Sequence, residues 1–193
     1  MYLVAGLGNP GREYESTRHN MGFMAVDSLI RRYASSGEKQ KFKGLLSEGK
    51  LCDEKALFLK PQTFMNLSGV SVAEAADFYK IPLDKIIVFH DDMDIPFGKI
   101  KIKQGGGAAG HNGLRSLDSH LGNNYWRFRM GIGHPDIKEQ TADFVLSPLK
   151  GADLQQAELL FEKTAELFPL FLQKGAGSFL NELFGQKQNK KSA

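Results

Sequence analysis

The chain has 193 residues, enough for one domain with a substantial buried core, and its 41% hydrophobic and 24% charged content is that of an ordinary folded protein. A single cysteine, Cys52, excludes an intramolecular disulfide framework, and no apolar run approaches the ~18 to 20 residues that cross a membrane. The net charge of +3 is too small to argue for nucleic-acid binding by itself, and a chain that opens on an apolar strand without a charged leader is expected in the reducing cytoplasm.

Tyr2 to Gly6 reads as a short buried strand. Val4 to Gly11 then spells V-A-G-L-G-N-P-G, with Gly6, Gly8 and Gly11 at the G-x-G-x-x-G spacing of a dinucleotide-binding turn. That motif needs a helix that begins at the third glycine and an acid about 20 residues on, at the end of a second strand. Here the polar stretch Arg12 to Arg18 follows instead. Asp27 falls inside the helix that Met21, Met24, Ala25, Leu29, Ile30 and Tyr33 mark by their spacing, from about Asn20 to Tyr33. No dinucleotide is therefore expected. The glycines and Pro10 build a turn presenting Asn9, whose amide suits a peptide-like group or simply satisfies the turn.

Phe42 to Ser47 and Ala56 to Leu59 read as strands around the turn-rich Cys52 to Lys55, and Ser68 to Tyr79 as a helix with Ser68 as N-cap. Ile86 to Phe89 is a continuous apolar run that suits a strand covered on both faces, ending at His90-Asp91-Asp92. Lys99 to Lys103 alternates basic and apolar residues, Gly105 to Gly113 forms a loop, a helix runs on to about Leu121, and Trp126 to Ile132 is a strand. A long helix over Asp153 to Gln173, bent near Pro169, precedes a segment hinged at Gly175 and Gly177 that carries Phe179, Leu180, Leu183 and Phe184. Strands interleaved with helices, without repeat or linker, predict one α/β domain over residues 1–185, a twisted mixed β-sheet flanked by helices. Residues 186–193 form a basic tail expected to be disordered.

Polar side chains gather at strand ends and in loops, where sites form in open α/β sheets: Asn9, His19, Asn66, Asp91, His111 and Asn112. A histidine takes a proton near neutral pH, and Asp91 can hold the His19 imidazole in one tautomer; the alternative for His19 is a helix cap. His90, Asp91, Asp92 and Asp94 offer metal ligands, but neighbours on a strand face opposite ways, so no metal site is expected. With no G-x-S-x-G motif and with Cys52 in a turn, covalent catalysis has no support, and a base with an activated water is the economical hydrolytic scheme. Between Phe97 and Lys138 seven basic residues (Lys99, Lys101, Lys103, Arg115, Arg127, Arg129, Lys138) stand against two acidic ones (Asp118, Asp136). That stretch suits phosphates, or is the solvated face of a strand.

Six blocks occur in order: G-L-G-N-P-G (6–11), T-R-H-N (17–20), T-F-M-N-L-S-G (63–69), H-D-D (90–92), G-G-G with G-H-N-G (105–107 and 110–113), and R-M-G-I-G-H-P (129–135). Together they resemble the bacterial-type peptidyl-tRNA hydrolase family along essentially the whole chain. The resemblance implies a monomeric, cofactor-free and metal-independent α/β esterase. Its substrate would be peptidyl-tRNA from aborted translation, cleaved at the ester between the peptide and the 3′-terminal ribose. It implies His19 as the base that activates water, Asp91 as the carboxylate that orients it, and Asn66 as a substrate-positioning amide able to stabilise the oxyanion. Asn9 is implied to distinguish peptidyl-tRNA from unblocked aminoacyl-tRNA. His111 and Asn112 match the substrate channel, while Tyr14 and Phe64 match positions near the acceptor end, where an aromatic offers a base a stacking face. Lys103 and Arg129 match the clamp on the 5′ phosphate, and residues 175–185 resemble a C-terminal lid, the alternative being a terminal helix packed on the core. Ala108 and Ala109 depart from the histidine or glycine that many members carry there. A non-enzymatic RNA-binding relative is the alternative, against which the retained His19 and Asp91 speak.

Overall fold

Burial on both faces requires strands without polar interruptions, and the apolar runs near the start and middle of the chain become such strands at the centre of a sheet. The computed structural model describes residues 1–135 and 140–185. The basic tail, with Asp136 and Lys138 of the charged stretch, lies outside the described residues. In chain order the elements are β1 (Tyr2–Gly6), α1 (Met21–Tyr33), β2 (Lys39–Lys41), β3 (Gly44–Leu51), β4 (Glu54–Pro61), α2 (Ser68–Tyr79), β5 (Ile86–Asp92), β6 (Ile100–Gln104), α3 (Asn112–Leu121), β7 (Trp126–Gly131), α4 (Thr141–Val145) and α5 (Gly151–Gly185). They form a single α/β domain around one sheet of order β2-β3-β4-β1-β5-β7-β6. The four inner strands β4, β1, β5 and β7 are parallel; β2, β3 and β6 join antiparallel at the edges. No helix among the described residues is long and apolar enough to cross a membrane.

Helices α1 and α5 cover one face, burying Val4, Phe58, Ile87, Phe89 and Phe128; α2 and α3 cover the other, over Leu3, Ala5, Leu57 and Val88. Phe89 and Phe128 stack with ring centroids 4.5 Å apart, and Phe168, Phe171 and Phe179 close around Phe128. Each such ring contributes roughly 1.5–3 kcal/mol by leaving water.

One close contact decides where the site lies. A Cβ on Gly6 would stand 2.3 Å from the Gly22 carbonyl oxygen, and one on Gly22 would stand 2.4 Å from the Leu7 nitrogen. Only this glycine pair lets the first turn of α1 rest on the end of β1, which brings His19, just ahead of α1, over the sheet's carboxyl edge. The helix begins at Met21, after separate 3-10 turns at Arg12–Tyr14 and Arg18–Asn20. Asp27 is engaged with Lys60. The dinucleotide fingerprint thus lacks its helix and its acid, as expected.

Other expectations need correction. Strand β5 continues through His90, Asp91 and Asp92, all buried. Ser68 is the first residue of α2 and makes no cap; its hydroxyl donates to the Met65 carbonyl at 2.9 Å. Pro169 sits inside α5 without disturbing the helical torsions, and the break falls at Gly175 (φ 82°), in a conformation open chiefly to glycine. The Tyr33 hydroxyl donates at 2.7 Å to the Ala165 carbonyl, which lies four residues before a proline that has no N–H to offer. Apart from these corrections, the segment after Gly175 packs Phe179 fully into the core, and none of its residues lines the cleft described next.

Candidate active site

The chain leaves β1 toward β4 on one side and later returns to β5 on the other, so the carboxyl ends of β1 and β5 open a crevice. A cavity of about 800 Å³ lies there, and its lining includes Asn9, His19, Phe64, Asn66, Asp91, His111 and Asn112. Parts far apart in the chain therefore converge as the sequence suggested. Tyr14 does not reach the cavity; it is half-buried in the turn after Gly11, and its carbonyl accepts from the Thr17 N–H and hydroxyl.

Asp91 is the hub. Its carboxylate lies 2.9 and 3.0 Å from His19 Nδ1 and 3.0 Å from His111 Nε2, with side-chain exposures of 3%, 12% and 9% in that order. Burial alone would raise this carboxyl. Hydrogen bonds from His111 and His19, joined by their positive charge whenever those rings are protonated, outweigh burial and hold it well below the usual carboxylate range. An ionised carboxylate only accepts, so both imidazoles donate to it. His111 has no other choice: its Nδ1 accepts from the Gly113 and Leu114 N–H groups at 3.1 and 3.3 Å, capping α3, so its proton sits on Nε2. His19, donating through Nδ1, keeps its Nε2 lone pair free at the cavity.

Asn9 is equally constrained. Its backbone N–H and C=O are both taken by the side chain of Asn20 at 2.9 Å, and its Oδ1 accepts the Met65 N–H at 2.8 Å. The remaining Nδ2 group is a donor only, and it faces the cavity. The same Met65 N–H opens the 3-10 turn Met65–Leu67 that carries Asn66, so Asn9 also sets where Asn66 stands. Asn66 is exposed, with no side-chain hydrogen bond among the described residues. Asn112 begins α3, with its Oδ1 3.4 Å from Arg115 Nη1, and Phe64 stands 58% exposed at the rim. The sequence reading missed Asn20, 1% exposed, although it stands in the same block as His19. It also missed the far wall of the cleft, made by Thr141, Ala142, Val145 and Leu146.

The polar side chains of the run His90 to Asp94 are committed to separate partners. His90 donates through Nδ1 to the Asp91 carbonyl at 2.7 Å, and burial, with His111 alongside, pushes its imidazole down to about 3, so it stays neutral. Asp92 receives Arg129 Nε at 2.8 Å, and Asp94 meets His134 at 3.1 Å. A different trio, His19, Asp91 and His111, has ligand atoms within 4.8 Å of one another. A cation there would have to displace the proton from His111 Nε2, and with it either the α3 cap or the neutrality of the ring. The residues therefore fit a hydrogen-bond relay better than a metal.

Registers Lys101↔Arg129 and Lys103↔Arg127 put four basic residues on one face of the β6–β7 pair. They are not equivalent. Arg127 is 1% exposed and spent on Asp118 and the Gly107 and Asn123 carbonyls, which removes it from any phosphate surface. Lys103 is exposed, and Arg129 is partly exposed and anchored by Nε to Asp92, with no hydrogen bond from its terminal nitrogens among the described residues.

Residues 3–192 match the family model described as peptidyl-tRNA hydrolase. A peptidyl-tRNA hydrolase of Rhodospirillum centenum is 54% identical over 172 residues, 89% of this chain and 76% of that protein, and one of Azorhizobium caulinodans is 50% identical over 181 residues, 94% and 89%. The crystal structure of peptidyl-tRNA hydrolase from Acinetobacter baumannii superposes with a TM-score of 0.88 at 36% identity, covering 95% of this chain and 94% of that one. With a fold and a sequence that agree over nearly its whole length, the chain belongs to the peptidyl-tRNA hydrolase family.

Proposed function

We propose that this protein hydrolyses the ester joining a peptide to the 3′-terminal ribose of tRNA, releasing free peptide and tRNA in the cytoplasm. One observation carries the reading: Asp91 takes the N–H of both imidazoles, leaving His19 Nε2 as an open base in a cavity shared with the amides of Asn9, Asn66 and Asn112. A water on Nε2 loses its proton as it attacks the ester carbonyl, and the resulting imidazolium is stabilised by the Asp91 carboxylate. The proton then passes to the departing ribose oxygen. Asn66, with an uncommitted amide, donates to the oxyanion.

Asn9 supports a specific role. As a donor only, it suits the carbonyl oxygen of the peptide bond just upstream of the ester. An unblocked aminoacyl-tRNA has no such carbonyl and carries an ammonium group instead, which a donor rejects. Lys103 and Arg129 supply the cations for a terminal phosphate, and Phe64 a stacking face for an unpaired base. Cys52, the chain's one thiol, lies beside Pro169 and Gln173 of α5, so attack by water needs no covalent intermediate on sulfur. The commitment of His111 to its cap favours chemistry without a metal, and activity is expected to persist in chelator.

The deciding experiment compares N-acetyl-aminoacyl-tRNA with the same unblocked aminoacyl-tRNA. Rapid cleavage of the first and near-inertness of the second is the expected result; equal rates would defeat the role given to Asn9.

A further inference from the structure

We infer that Arg18 is a positioning residue that fixes the spacing between His19 and the far wall of the cleft, and so the seat of the substrate's acyl portion. For its kinetic readout the inference rests on the proposed hydrolysis; its structural readout is independent of it.

The far wall is α4 and the residue after it. This helix has five residues, none buried, whereas isolated helices shorter than about 12–15 residues are marginal in water, so what α4 is fastened to decides where it stands. It is fastened to the turn that holds His19. The Arg18 N–H donates to the Ser147 carbonyl at 3.1 Å, and the Leu149 N–H donates to the Ser16 carbonyl at 2.7 Å. The Arg18 guanidinium then reaches across: Nη1 donates to Ser147 Oγ at 2.6 Å and to the Pro148 carbonyl at 3.4 Å, and Nη2 lies 3.7 Å from Asp153. Its carbon sits 4.8 Å from the Phe144 ring centroid, within reach of a cation–π interaction.

Helical spacing gives these contacts their meaning. Val145 and Leu146 line the cleft one turn on from Thr141 and Ala142, while Phe144 turns to Arg18. Arg18 thus supplies the side-chain contacts at the back of the wall, beside the backbone bonds, while its own neighbour, His19, supplies the proposed base in front of it. The Arg18 side chain is 17% exposed, so these contacts are little screened, and only a planar fork can bond Ser147 and stack on Phe144 together. A lysine keeps the charge and loses that combination.

The test uses Arg18→Met, Arg18→Lys and Phe144→Leu in the full chain. In Arg18→Met, amide exchange at Leu146 and Ser147 is expected to rise by about tenfold or more while β5 amides stay protected. With N-acetyl-phenylalanyl-tRNA, kcat is expected to fall by about 10- to 100-fold with KM within about threefold, since misplacement near 1 Å costs on that order. Arg18→Lys recovers part of kcat, and Phe144→Leu shows a smaller loss of the same kind. Unchanged exchange at α4, a kcat within about twofold of the parent, or kcat and KM falling together with melting temperature would each overturn the inference. Should Arg18→Met not fold, the other two variants carry the same readouts. If the parent cleaves no peptidyl-tRNA, the proposed hydrolysis fails while the exchange data still decide the coupling.

Discussion

His19 donates a hydrogen bond from Nδ1 to the Asp91 carboxylate across 2.9 Å, and the far nitrogen of the same ring opens onto the cleft. The carboxylate therefore fixes the tautomer, which leaves that nitrogen as the base of the proposed mechanism. His19→Ala is expected to lower kcat/KM by about 10²–10⁴-fold with tRNA affinity nearly unchanged, measured by single-turnover cleavage and by equilibrium binding. Asp91→Asn should lose a similar factor, because an asparagine must turn its N–H₂ toward one of two rings that already donate. Retained cleavage in His19→Ala would remove the base from the proposed mechanism.

His90 predicts a pH dependence of stability. Its imidazole is held at about 3 in the fold, against about 6.5 in an unfolded chain, so the unfolded state binds more protons in acid. The stabilising difference is fully present above about pH 6.5 and is lost progressively as the pH falls from there toward about 3. The depressed carboxyl of Asp91 acts in the same direction lower down, below the ordinary carboxylate range. Urea midpoints measured from pH 7.5 to 4.5 should fall, and fall less steeply in His90→Gln. Parallel slopes in the two proteins would show that His90 is not the titrating group.

The parts of this fold that sequence made legible are those where burial leaves a pattern. The apolar run of β5 and the helical spacing of α1 correspond to elements with buried faces. Strand β2, Lys-Gln-Lys and wholly exposed, has no such signature, and neither has α4, where nothing is buried. The polar end of β5 reads as a boundary because charges seldom sit in a core, yet each of its three residues has a specific partner waiting from another element or its own backbone. For the side chains that line the cleft, their gathering at the strand ends was legible and their orientation was not. That Asn9 presents a donor alone follows from Met65 and Asn20, and that Arg127 is spent inside the fold follows from Asp118; both are long-range facts.

Asn9 and Asn20 can be separated experimentally. Asn9→Asp keeps an acceptor for the Met65 N–H but replaces the cavity-facing donor with a charge, so the fold should hold while cleavage of blocked substrate collapses. Asn20→Ala does the reverse: it strips partners from a buried N–H and C=O, at about 1–3 kcal/mol for each group left unsatisfied. Melting temperature should therefore fall mainly in Asn20→Ala, and selectivity for blocked over unblocked aminoacyl-tRNA mainly in Asn9→Asp. A selectivity in Asn9→Asp equal to the parent's would move substrate discrimination elsewhere in the cleft.

Lys103 and Arg129 make a prediction that rests on charge rather than chemistry. Removing one cation from a phosphate should flatten the slope of log affinity against log salt by about 0.7–0.9. Lys103→Ala and Arg129→Ala are therefore expected to raise KM at low salt, leave kcat nearly unchanged, and converge on the parent's KM as salt increases. Arg127→Ala should behave differently, because its guanidinium is buried against Asp118 and two carbonyls: it should lower the melting temperature and leave the salt slope alone. A tRNA lacking its 5′ phosphate should mimic the first pair and have no further effect in the double variant. If removal of that phosphate instead weakened the parent and the double variant alike, the cation pair would be contacting some other part of the tRNA.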